Sequence, residues 1–306
     1  MRATLLAFLF LFACLLLAAV LSVPLVQTGW IDAPSARVVG RLAQVFILLG
    51  LLVFLRRLGL ANRASLGYGV PGPELRRALG GGWLLGVILL AVPALLLVQA
   101  AVLVPVTAPD WALIGRKSSQ ALAGGLLIAL LEETFFRGAL FSAIRRREGW
   151  VAAALWPAAL YALVHFLKPG RLPAGMAFDW SGAFYMVSHV FIDGLRWQNL
   201  DSLAALFVAG VLLALVRERT GHIGWCIGLH AGWVWLIQTT RALTDANPDA
   251  PLAFLVGSYD EFIGALMLAW VGVVTLAYWY WTGPRVARRG GCSGPAVGSH
   301  GADRGK

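Results

Sequence analysis

The sequence predicts an all-α, polytopic transmembrane helical bundle, and three observations support this fold class. Of the 306 residues, 59% are hydrophobic and 13% are charged, whereas globular proteins carry about 25% charged residues. The mean hydropathy is +0.76. Several apolar runs approach or exceed the ~18 residues that cross a bilayer. A soluble globular domain is therefore excluded.

Eight apolar segments are candidate spans: 3–26, 38–55, 78–104, 119–143, 151–167, 202–216, 222–240 and 262–281. The first is longer than the apolar part of a signal peptide and no A-x-A site follows it, so we expect a retained span. A further apolar segment, 183–195, is too short to cross and contains His189 and Asp193. We interpret it as a re-entrant or interfacial segment within a long external loop. A role as a lid or substrate contact and a purely structural role both stay open.

The distribution of Lys and Arg predicts the orientation. With the N-terminus inside, most of the 25 basic residues fall on the cytoplasmic side, so we expect both termini in the cytoplasm. The net charge of +10 is dispersed over the ends of the spans, which argues against a nucleic-acid partner. The three cysteines show no CxxC spacing, so neither a disulfide framework nor a thiolate metal site is indicated.

Three charged residues stand inside the fourth predicted span, in the order Glu132-Glu133-x-x-x-Arg137. Each charge near the bilayer centre costs roughly 2.5–3.5 kcal/mol on insertion scales, so such residues indicate a functional site. Glu133 and Arg137 are four residues apart and share a helix face, which predicts an ion pair. Glu132 is turned by about 100° from Glu133 and needs a partner from another helix.

Two histidines inside later spans are candidate partners. At 1.5 Å per residue, Glu132, His165 and His230 lie about 17, 21 and 12 Å from the predicted cytoplasmic ends of their spans. A single membrane histidine is often a packing residue bonded to a carbonyl. Two at the depth of an unpaired glutamate favour a shared site. We expect His222 and His300 to be solvated, and the role of His189 is undecided.

A stripe of small residues in the seventh predicted span has another explanation. Gly224, Gly228 and Gly232 recur every four residues, about 200° around the helix from His230. Such a stripe allows close approach of another helix, and Gly82 and Gly86 in the third span have the same interpretation. We therefore assign these glycines to helix packing.

Taken together, the motifs resemble the CPBP family of intramembrane proteases, which includes type II CAAX prenyl endopeptidases and bacteriocin-processing relatives. The matching features, over roughly 119–238, are Glu132-Glu133-x-x-x-Arg137, Tyr161 four residues before His165, the turn Arg217-Glu218-Arg219-Thr220-Gly221, and Gly228-Leu229-His230-Ala231. The resemblance implies an endopeptidase that acts on a membrane-associated protein or peptide. The substrate could be a prenylated protein, a leader peptide or a sorting tail.

The resemblance also implies roles for residues. Glu132 and His165 would hold and activate the hydrolytic water, Glu133 and Arg137 would order the motif, and His230 would help stabilise the oxyanion. The family usually has Asn four residues after the last His, and this chain has Val234. As a hypothesis, the indole N–H of Trp233 replaces that donor. The family also commonly has Phe at the position of Tyr161.

By this interpretation, residues 1–118 carry spans one to three, and 119–240 form the catalytic core, with an external loop at 168–201. Residues 241–282 form an external loop and the last span. Residues 283–306 are Gly-rich and basic and are expected to be disordered. We expect a multi-pass protein of the bacterial inner membrane.

Metal dependence and function class stay open at this point. Relatives are often named metalloproteases, and two histidines with a glutamate could hold zinc. The HExxH signature is absent, so we expect a glutamate-activated water and no required cofactor. A proton-coupled transporter would use the same residues as a relay, although no internal repeat supports it. A catalytically inactive scaffold or immunity protein is a third alternative, which Val234 favours.

Overall fold

The computed structural model describes residues 2–283, apart from residues 32, 58, 168, 171 and 195. The α-helices of this part are α1 (Arg2–Gln27), α2 (Ser35–Arg57), α3 (Gly72–Gln99), α4 (Trp111–Glu133), α5 (Phe141–Phe166), α6 (Trp180–Gly194), α7 (Leu200–Thr220), α8 (Gly224–Leu243) and α9 (Ala265–Thr282). A π-helix, Thr134–Leu140, joins α4 to α5. Two short antiparallel strands, β1 (Leu103–Pro105) and β2 (Thr244–Ala246), pair Leu103 with Ala246.

The predicted all-α membrane bundle is confirmed, because each of the eight predicted spans falls on a helix. Six helical stretches of the described chain are long and apolar enough to cross a bilayer. The longest, Trp111–Phe166, contains both the fourth and the fifth predicted spans, and Gly149 interrupts it with φ 86° and ψ 176°. Helix α8 is not among the six. The number of spans and the cytoplasmic termini stay predictions.

Two predicted segments differ in detail from the observed elements. The third predicted span reaches residue 104, but α3 ends at Gln99 and the following residues turn into β1. The short segment 183–195 falls on α6, whose Ala183 and Val187 are buried in one cluster with Ala19 and Val23 of α1. The predicted tail, apart from Gly283, lies outside the described residues.

The glycine stripe of α8 packs against α3, as predicted. A Cβ added at Gly86 would lie 2.5 Å from the carbonyl oxygen of Leu229, and one at Gly82 would lie 2.8 Å from that of Trp225. Cβ atoms at Gly228 and Gly232 would collide with backbone atoms of α3. Only glycine permits this approach, which fixes the position of α8 and therefore of His230.

Gly86→Ala is therefore expected to lower the free energy of unfolding by about 1–3 kcal/mol, because the added methyl meets backbone that cannot rotate away. Thermal unfolding in detergent measures the effect. Gly80→Ala is the matched control on the same helix, since a Cβ there meets nothing within 4 Å. Equal melting temperatures for the two variants would contradict the close packing of α3 on α8.

Candidate active site

The two adjacent glutamates stand where α4 ends and the π-helix begins. Glu133 is 0% exposed and Arg137 is 1% exposed, and Nη1 of Arg137 donates to Oε1 of Glu133 at 3.0 Å. Nη2 of the same arginine donates to the carbonyl oxygen of Gly210 on α7 at 3.2 Å. The predicted ion pair is therefore present. π-Helical turns occur frequently at functional sites.

Aromatic rings surround the buried arginine. The guanidinium carbon of Arg137 lies 4.6 Å from the ring centroid of Tyr161 and 5.7 Å from that of Phe136. Rings at this distance attract a cation through their negative faces. A carboxylate, a carbonyl and two rings together compensate a charge that water cannot reach.

His230 binds the buried glutamate and not the partly exposed one. Its Nδ1 lies 2.9 Å from Oε1 of Glu133, whereas its Nε2 lies 3.9 Å from Oε2 of Glu132. The second distance is too long for a direct hydrogen bond. The contact between Glu133 and His230 was missed by the sequence reasoning, which assigned only Arg137 to Glu133. Glu133 thus joins α4 to α8 as well as to the π-helix.

Glu132 faces a cavity of about 500 Å³ inside the bundle. Its side chain is 31% exposed, and Oε2 has no hydrogen-bond partner among the described residues. His165 lines the same cavity. The remaining lining is mainly apolar and comes largely from the first two helices and from α4, including Phe8, Leu11, Leu15, Ile47, Leu51, Leu127 and Leu131.

The ring of His165 is oriented by its own helix and by a later loop. Nδ1 lies 2.7 Å from the carbonyl oxygen of Tyr161, and the two rings meet edge to face with centroids 4.4 Å apart. The hydroxyl of Tyr259 donates to the carbonyl oxygen of His165 at 3.2 Å. Because Nδ1 faces an acceptor, the neutral tautomer with its proton on Nδ1 fits this contact.

A second cavity, of about 200 Å³, lies on the other side of these rings. Tyr161, His165, His230, Trp233 and Val234 all line it. The indole Nε1 of Trp233 is buried and has no hydrogen-bond partner in the described part of the chain. His165 lines both cavities, and Nε2 of His230 lies 3.9 Å from Oε2 of Glu132. The structure thus places the two histidines and Glu132 in one region, and their shared catalytic role stays a prediction.

A third buried charge connects the site to α7. Arg217 is 8% exposed, and its Nε donates to the carbonyl oxygen of Arg137 at 3.2 Å. On the other side of the π-helix, the hydroxyls of Tyr68 and Thr134 lie 2.6 Å apart. The π-helix is therefore held by α7 through Arg217 and by the segment before α3 through Tyr68.

The expectation of a solvated His222 was wrong, because this side chain is 4% exposed. It lies in the turn between α7 and α8, where Nδ1 accepts a hydrogen bond from the backbone N–H of Gly224 at 3.2 Å. The ring of His189 stacks on Tyr185 at 3.7 Å. His300 lies outside the described residues.

The fold and the site together define a polytopic helical membrane protein with a Glu, Arg and His cluster beside an internal cavity. Residues 116–236 match the model of a family described as type II CAAX prenyl endopeptidase Rce1-like. The resemblance to the CPBP proteases is thereby confirmed over these residues, which include every predicted site residue. The match supports an integral membrane endopeptidase in general. Searches of curated proteins and of solved structures found no match.

Proposed function

We propose that this chain is an intramembrane endopeptidase in which Glu132 activates the water that attacks a peptide bond. One observation carries the proposal, namely the division between the two glutamates. Glu133 is 0% exposed, and its Oε1 contacts both Arg137 and His230, whereas Glu132 is 31% exposed and lines the larger cavity. A general base needs this access to its reactant.

The reaction divides between the two cavities. Glu132 and Nε2 of His165 hold the water, and Glu132 takes its proton as the oxygen attacks the carbonyl carbon. The oxyanion then accepts hydrogen bonds from a ring N–H of His230 and from the indole N–H of Trp233. Collapse breaks the C–N bond, and the proton held by Glu132 passes to the leaving amine.

The substrate class follows from the lining of the larger cavity. Its walls, contributed mainly by α1, α2 and α4, are largely apolar, with Glu132 and His165 among the few polar residues that line it. An apolar segment of a membrane-associated protein or peptide fits such walls, because its burial there releases water or lipid at little cost. We therefore place the scissile bond beside an apolar segment of the substrate.

No step of this mechanism passes through a metal. Within the described residues, no group of three His, Cys, Asp or Glu side chains is arranged to hold a metal ion. We therefore assign the chemistry to Glu132 and the two histidines, and the chelator arm of the test below decides whether a metal takes part.

The test is cleavage of membrane-tethered peptides by the purified protein in lipid vesicles, without an ion gradient and with a strong chelator. We expect cleavage at the same rate with and without chelator. Loss of cleavage under chelation would overturn the metal-free mechanism. Absence of cleavage, together with solute uptake by the same vesicles once a proton gradient is imposed, would instead support the transporter alternative.

Trp233→Phe is expected to lower kcat by about 10²-fold, the effect of removing one oxyanion donor. Trp83→Phe is the matched control, because Nε1 of Trp83 is also buried without a partner among the described residues but Trp83 lines neither cavity of the site. Full activity of both variants would show that the indole of Trp233 does not replace the missing Asn.

A further inference from the structure

A third cavity lies away from the site, where α5 resumes after Gly149 and where α7 and α9 end. Its volume is about 780 Å³. Aromatic and charged side chains dominate its walls, namely Trp150, Glu218, Arg219, Trp279, Tyr280 and Trp281. We call this cavity the α9 groove. Four of its residues are Trp or Tyr, the residue types that concentrate at the headgroup level of a membrane.

The position of the α9 groove along the bundle also fits the membrane surface. On α9, Val273 and Leu276 are 61% and 70% exposed, and Tyr280 and Trp281 are 78% and 73% exposed. An apolar exposed face that passes into exposed aromatic residues at its end is typical of a helix that leaves the hydrocarbon for the interface. The groove therefore opens where lipid headgroups lie.

Arg219 is the charged group available in the α9 groove. Its guanidinium carbon lies 5.3 Å from the ring centroid of Trp279, and the ring of Trp150 lies 5.0 Å from the same indole. The Nε of Arg219 is buried and has no hydrogen-bond partner among the described residues. A buried donor without a partner is costly, so this nitrogen indicates an acceptor supplied by a ligand.

The acidic residue of the α9 groove does not cancel this charge. Both carboxylate oxygens of Glu218 accept hydrogen bonds from Arg145. Nε of Arg145 lies 3.1 Å from Oε1 and 3.0 Å from Oε2, and Nη2 lies 2.9 Å from Oε1. The adjacent sequence adds two basic residues, Arg146 and Arg147, directly after Arg145. Basic clusters next to a membrane helix attract anionic lipids.

We propose that the α9 groove binds the phosphate headgroup of an anionic phospholipid, with Arg219 donating to the phosphate and the Trp and Tyr rings holding the glycerol region. This binding is independent of peptide cleavage. It anchors α5 at Trp150, together with the C-terminal ends of α7 and α9, at one leaflet. Along α5, Trp150 precedes Tyr161 of the candidate active site by 11 residues.

Native mass spectrometry of the full-length protein tests the proposal, with phosphatidylglycerol and phosphatidylcholine of identical acyl chains as probes. We expect tighter binding of phosphatidylglycerol. Arg219→Gln should weaken it by at least about fivefold, the effect of one arginine near an anionic surface, and Arg219→Lys should retain most of the affinity. Arg241→Gln is the matched control, because Arg241 is exposed in the last turn of α8 and outside the groove.

Three results would overturn the proposal. Equal affinity for the two lipids would show that the protein does not prefer an anionic headgroup. An unchanged affinity of Arg219→Gln for phosphatidylglycerol would show that the lipid does not bind through Arg219 in the α9 groove. Competition by inorganic phosphate at the concentration of the lipid would identify a soluble anion as the ligand. Melting temperatures of the variants are measured beside binding, and Arg219→Lys reports on the charge if Arg219→Gln does not fold.

Discussion

Replacing Glu132 by Gln is expected to slow peptide cleavage by about 10²- to 10⁴-fold, the range for loss of a general base. The amide keeps the size of the side chain but cannot take the proton of the water. Thermal unfolding should change little, because the carboxylate is 31% exposed and lies 3.9 Å from its nearest ionic partner, His230. Initial rates in lipid vesicles and melting temperatures in detergent measure the two effects.

Glu74→Gln is the control for this substitution, because Glu74 is 57% exposed and lines neither cavity of the site. It should cleave at the wild-type rate. Wild-type cleavage by Glu132→Gln would contradict the mechanism and assign the base to another group. A biological effect of the chain that survives in this variant would support the inactive-scaffold alternative.

Arg137→Met is expected to cost about 3–5 kcal/mol of unfolding free energy, as removal of one partner leaves a charge buried without compensation. Here the uncompensated group is Glu133, which is 0% exposed. Among the described residues it retains His230 as its side-chain hydrogen-bond partner. The double variant Glu133→Gln with Arg137→Met should recover part of this loss, because no buried charge remains. Both proteins should cleave poorly, since Glu133 also holds His230.

Arg145→Met is the matched control for the arginine substitution. It breaks the ion pair between Arg145 and Glu218, whose side chains are 44% and 22% exposed, respectively. Exposed ion pairs of this kind contribute about 0–1 kcal/mol to the free energy of unfolding. Equilibrium unfolding in mixed detergent micelles measures all variants. A loss for Arg137→Met no greater than that for Arg145→Met would contradict the assignment of a buried ion pair.

Local spacing predicted the features that depend on one helix. Glu133 and Arg137 form an ion pair because four residues bring side chains to the same face, and hydropathy located the helices. The glycine stripe predicted a close contact because small side chains have that effect wherever the partner helix lies. These inferences need no knowledge of how the helices are arranged.

The contacts that the sequence did not predict depend on how the helices are arranged in three dimensions. Counting residues gave the height of His230 in the bundle but not the direction in which it points, so its bond to Glu133 was missed. Tyr259 holds His165 from a segment assigned to an external loop, and no local signal marks that contact. His222 is buried because helices from distant parts of the chain close over a turn that is polar in sequence.

The length of the π-helix determines which of the two glutamates faces the cavity. Adjacent residues of an α-helix point about 100° apart, which is the angle between a side chain facing the cavity and one facing the core. Deleting one residue from Thr134–Leu140 would rotate α4 by that angle relative to α5. Leu131 would then occupy the place of Glu132, and Glu132 the place of Glu133. The phase of the helix therefore sets which side chain lines the cavity: with one residue fewer in the π-helix, a leucine would stand where the proposed general base stands.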